Sequence, residues 1–138
     1  MKYPITIVFA SLAMISSVFA GNTPAPPGAS LYFVSPQHGE VVSSPVKIVF
    51  GLSGMGVAPA GVDREKTGHH HLLIDTPIPD LNRPITADDG HRHFGGGQTE
   101  TVIELSPGKH RLQLLLGDFA HIPHNPPVMS EPITITVQ

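Results

Sequence analysis

Eight of the nine histidines in this cysteine-free chain fall between His69 and His124. They are bunched as His69-His70-His71, His91-Arg92-His93 and His121-Ile122-Pro123-His124, with His110 between the last two groups. Imidazole is costly to bury unpaired and is the commonest protein ligand for transition metals. On a pleated strand His69 and His71 point one way, and His70 points the other way with Leu72 and Ile74. Two histidines at i and i+2 on one strand face can ligate a single ion, and His91-x-His93 repeats that spacing. Pro123, Pro126 and Pro127 stiffen the backbone around His121 and His124, which lowers the entropy cost of holding ligands in place. The expected metal ligands are therefore His69, His71, His93, His121 and His124, with His70 and His91 as weaker candidates. Asp75 and Asp118 are expected to accept hydrogen bonds from ligand rings and orient them. Met129 reads as core filler and His110 as a strand-end structural histidine.

The donor set limits the ion. Imidazole with carboxylate and no thiolate suits Cu(II), Zn(II) or Ni(II), and the affinity order puts copper ahead of zinc. No Ser–His–Asp ordering is evident, and no motif links Glu65, Glu100 or Glu104 to a nucleophile, so no catalytic residue is assigned. Three functional readings stay open. One is a metal-binding protein, copper preferred and zinc the alternative, that handles the ion without catalysis. Another is a metal-free binding module with a structural histidine network. The last is a small metalloenzyme.

The elements that must position these residues are β-strands. Fifteen prolines and fourteen glycines argue against long helices, and candidate strands run over Ser30–Val34, Val46–Leu52, His69–Asp75, Thr99–Leu105, Lys109–Leu116 and Ile133–Val137. Val46, Ile48 and Phe50 share one face, as do Ile133, Ile135 and Val137, which predicts a single all-β, immunoglobulin-like two-sheet sandwich over residues 30–138. Ser106-Pro107-Gly108-Lys109 has the residues of a type II turn. It predicts a hairpin in which Leu105 faces His110, Glu104 pairs with Arg111 and Ile103 faces Leu112. That register would bring the flanks of the hairpin, with His93 and His121, to its open end. The stretch from Thr76 to Gln98 reads as a long functional or flexible connection.

Lys2, the apolar run from Ile5 to Val18 and the small residues Val18-Phe19-Ala20 predict a secretory signal peptide over residues 1–20, cleaved after Ala20. Residues 21–29 form a proline-rich lead expected to stay extended and unpaired. The formal charge of −3 offers no basis for nucleic acid or an anionic membrane as partner. Export without cysteines fits a periplasmic or secreted protein with no membrane anchor after cleavage. Its expected partners are a metal ion and another periplasmic protein.

Several segments together also resemble an uncharacterised bacterial exported family, domain of unknown function 4399. They are Gly68-His69-His70-His71-Leu72-Leu73-Ile74-Asp75, His93-Phe94-Gly95-Gly96-Gly97-Gln98-Thr99-Glu100-Thr101, Pro107-Gly108-Lys109-His110, Leu112-Gln113-Leu114-Leu115-Leu116-Gly117-Asp118 and His121-Ile122-Pro123-His124. The resemblance spans about Ser35 to Val137 and implies a small exported domain whose histidine motifs are family hallmarks, with no activity attached. Ser35 to Pro45 is also similar to the start of immunoglobulin-like periplasmic modules, CopC-type copper carriers included. Those use a histidine at the mature N-terminus, where this chain would have Gly21. The His-x-His spacing resembles that of Cu/Zn superoxide dismutase, but the surrounding motifs do not match and no disulfide can form.

Overall fold

The structure, a computed structural model, describes residues 23–138; the expected signal peptide lies outside them. The described residues form nine strands: β1 (Ser30–Ser35), β2 (Val41–Val42), β3 (Val46–Ser53), β4 (Gly56–Val57), β5 (Thr67–Ile74), β6 (His91–His93), β7 (Glu100–Ile103), β8 (Gly108–Gly117) and β9 (Ile133–Val137). One sheet has the order β1-β3-β7. The other runs β2-β9-β8-β5-β4, with β6 also paired to β5. The outer edge of β5 is thus shared. β4 lies parallel to it at Thr67 and Gly68, and β6 antiparallel to it at His71 to Leu73.

The alternating residues of the strands meet between the two sheets. Leu31 and Phe33 of β1 and Val46, Ile48 and Phe50 of β3 pack against Leu72 and Ile74 of β5. Leu112, Leu114 and Leu116 of β8 and Ile133, Ile135 and Val137 of β9 complete this core. Burial of such faces is the main favourable term in folding, about 25 cal/mol per Å² of apolar area. A smaller cluster of Leu73, Leu115 and Ile85, flanked by Leu81 and Met129, covers the opposite face of β5 and β8. The 76–90 connection therefore packs on the sheet, and β5 is buried on both faces from Gly68 to Ile74.

The predicted hairpin is not formed. β7 pairs with β3 in one sheet, while β8 pairs with β5 and β9 in the other, so the turn at Pro107 and Gly108 carries the chain across the sandwich. Glu104 accepts a hydrogen bond from Ser44 Oγ (3.0 Å) instead of pairing with Arg111, and Arg111 Nη2 donates to Gln113 Oε1 (2.8 Å). Alternation fixes the buried face of a strand without naming the neighbour. Ile103 lies opposite Val46 of β3 and packs, partly buried, against the core cluster. The proline-rich lead also departs from expectation. Pro24 forms a parallel bridge with Asn125; Ala25 N–H donates to Asn125 O (3.1 Å), and Asn125 N–H donates to Thr23 O (2.9 Å). Proline cannot donate, but its neighbours can.

Candidate metal centre

Strand pairing gathers three of the histidines. His71 lies opposite Leu115 of β8 on one side and opposite His93 of β6 on the other, and His69 lies opposite Gly117. Because side chains alternate, His69, His71 and His93 stand on the outward face of this sheet. His70 points inward onto Phe50, with ring centroids 5.0 Å apart. His121 arrives from the loop after β8. Asp118 N–H donates to Ile122 O (2.8 Å), His121 N–H donates to Asp118 O (2.9 Å), and His121 O accepts from Ile85 N–H (2.9 Å). The loop places His121 at φ 66°, left-handed backbone that non-glycine residues seldom adopt.

The result is a cluster of four imidazoles. One ligand atom from each of His69, His71, His93 and His121 lies within 4.8 Å of the others. Ring centroids of His69 are 4.7 Å from His71 and 5.0 Å from both His93 and His121; His93 and His121 are 4.7 Å apart. A four-coordinate ion with metal–nitrogen bonds of about 2.0–2.1 Å needs donors roughly 3.4 Å apart, a contraction within reach of ring rotations. His69 and His71 are wholly buried, while His121 is half-buried and His93 exposed. The centre therefore opens to solvent on the His93 side.

The electrostatics suit a cation. Burial, then the neighbouring rings of His93 and His121, push His69 down to about 4, against the opposing pull of Asp118. Burial, then His69, His93 and His121, push His71 to about 3. His93 is lowered by burial and by His121. At neutral pH these three rings are unprotonated, the state in which imidazole binds a metal. His69 Nε2 and His121 Nδ1 share one hydrogen bond of 3.1 Å, but His69 Nδ1 and both nitrogens of His71 are buried without a partner. A buried unsatisfied polar group costs about 1–3 kcal/mol, and rings orphaned side by side could hold a metal ion.

Two glycines make room for the rings. A Cβ at Gly117 would stand 2.6 Å from His71 Cε1 and 3.1 Å from its Nδ1, and one at Gly95 would overlap the His93 ring. The sequence does not show that either clears a ring, because the need for a bare backbone appears only once the strands are paired.

The other expected site residues lie elsewhere. His124 is buried but outside the cluster: its Nε2–H donates to Thr67 O (3.0 Å), and its ring packs beside Gly68, toward Leu116. His70 is in the core, lowered to about 4 by burial with the Gln98 backbone opposing, and neither ring nitrogen makes a well-formed hydrogen bond. His91 shares the outward face with His93, but its Nδ1 pairs with Asp88 Oδ1 (2.9 Å). Asp75 does not orient a clustered ring. It holds His110 Nδ1 (2.6 Å) and the Arg111 N–H (2.7 Å) at the far end of β5. Asp118 makes no hydrogen bond to an imidazole either; its Oδ1 accepts the N–H groups of Ala120 (2.9 Å) and Ile122 (3.0 Å). Met129 packs with Leu73 and Leu115, as a core residue.

A family model described as Domain of unknown function (DUF4399) matches residues 48–138, which hold the whole cluster. The chain belongs to the DUF4399 family. Among solved structures, this DUF4399 protein is similar to the fibronectin(III)-like modules of Clostridium thermocellum CbhA, at 13% identity and a TM-score of 0.42. That alignment covers 79% of this chain and 45% of the other, so the chain spans less than half of that structure's length. No curated protein matches it.

Proposed function

We propose that this protein binds one transition-metal ion on His69, His71, His93 and His121 and handles it without catalysis, with Cu(II) preferred over Zn(II). The observation that carries this reading is the meeting of four imidazoles from three sequence clusters, two of them wholly buried and with unpaired nitrogens. Four imidazole donors and no thiolate favour Cu(II) in the affinity series. Exposure at His93 gives the ion one route in and out, as exchange with another protein requires. The cysteine-free composition and apolar leader support a periplasmic setting and a periplasmic exchange partner.

The experiment is metal analysis of the untagged protein after loading with Cu(II) or Zn(II) and desalting. One ion per chain is expected for wild type, and none for His71→Ala or His121→Ala variants that keep the wild-type circular dichroism. No retained ion in the wild type would leave the second reading, a metal-free histidine network. The hydrogen bond between His69 and His121 is the observation in that reading's favour.

A further inference from the structure

We propose that Thr23 and Asp118 form a latch that positions His121, which makes the N-terminal strap part of the metal centre; this deepens the metal-binding reading and rests on it. Asp118 is 2% exposed and sits four residues before Ile122, in the turn that presents His121. Its Oδ1 accepts the N–H groups on both sides of His121, from Ala120 (2.9 Å) and Ile122 (3.0 Å). Its Oδ2 accepts the Thr23 hydroxyl at 2.6 Å, a length typical of a charge-assisted bond. Two backbone bonds between the strap and Asn125 flank this contact, so the loop is gripped at both ends of the segment 118–125.

One consequence follows for the ion. The grip maintains His121 in its left-handed conformation, which costs on the order of 1 kcal/mol or more unless the surroundings enforce it. The Thr23 hydroxyl bonds Asp118 and not an imidazole. Thr23 is a positioning residue acting through Asp118, and removing its hydroxyl leaves a buried carboxylate oxygen without its donor. Loss of a direct hydrogen-bond partner of a ligand typically weakens metal binding 10–100-fold, and Thr23, one step further back, is expected at the lower end of that range.

The test compares untagged wild type with Thr23→Val, Thr23→Ala and Thr23→Ser, each loaded with Cu(II). Affinity is read by chelator competition, ligand geometry by the visible and electron paramagnetic resonance spectra, and the fold by the Tm of the metal-free protein. The Val and Ala variants are expected to bind roughly tenfold or more weakly, with altered copper spectra, while Ser restores wild-type values in both. Wild-type affinity and spectra in either hydroxyl-free variant would overturn the latch, even if the metal-free Tm fell, because that pattern marks a structural role alone. Wild type that retains no copper would instead overturn the underlying metal reading.

Discussion

At the scale of single residues, the centre depends on what is absent as much as on its ligands. Gly117 lies under the His71 ring, where any Cβ would come within 2.6 Å of Cε1. Gly117 has no positive φ, so alanine brings no conformational strain and its effect is steric. Gly117→Ala is expected to displace the His71 ring and weaken metal binding at least tenfold, while Gly96→Ala, next to the flexible Gln98 side chain, leaves it unchanged. Isothermal titration of Cu(II) into each variant checks this, and equal affinities would refute the steric account. His110 makes a second residue-scale prediction. Burial opposes its protonation, but the Ser106 carbonyl (2.8 Å) and the Asp75 carboxylate (2.6 Å) prevail and its pKa is raised. A raised histidine pKa adds stability that is complete below the unfolded value of about 6.5 and is lost as pH rises through the folded value. The difference in urea midpoint between wild type and His110→Ala should therefore be largest at mildly acid pH and shrink above neutrality. A difference that grew with pH would contradict the ion pair.

At the scale of elements, β5 organises both core and site. It is the strand between β8 on one edge and β4 and β6 on the other, and its alternation sends His70, Leu72 and Ile74 inward and His69 and His71 outward. That much was legible in the sequence, because period-2 alternation follows from the pleat. The hairpin expected to bring His93 to His121 does not form, and the observed meeting of His93 with the first cluster has another origin. It comes from β6, a three-residue strand inside a segment read as loop, pairing His93 directly with His71. Three residues carry too little periodicity to reveal a strand, and the charged Arg92 at its centre gives no apolar signal. The positions of His124, Asp75 and Asp118 were illegible too, since a side chain's partner depends on which strands adjoin. Hydrogen exchange should report this hierarchy. Amides of β5 and β8 should be the slowest in the metal-free protein, and copper should add protection chiefly at residues 91–93 and 117–122. Protection spread evenly over β1, β3 and β7 would mean that binding does not act through this end of the six-stranded sheet.

At the scale of the whole molecule, a cluster of unpaired imidazoles is a cost that the sandwich carries in the metal-free state. Burial and mutual repulsion hold His69 near 4 and His71 near 3, so the unfolded chain takes up protons at these positions before the native one does. Native stability is then present above about pH 6.5 and is lost as pH falls toward those lowered values. A bound ion exploits the same neutral rings, and it stabilises the native state over the unfolded chain, which keeps adjacent histidines such as His69-His70-His71 but not the four-ring site. The expected gain is at most about 2.7 kcal/mol when free ion is 100-fold above Kd, on the order of 10 °C in Tm for a domain of this size. Calorimetry at neutral pH with and without Cu(II) should show that rise, with excess EDTA reversing it and His71→Ala abolishing it. A Tm indifferent to copper, to EDTA and to His71 would mean that the four rings are held for some purpose other than a metal ion.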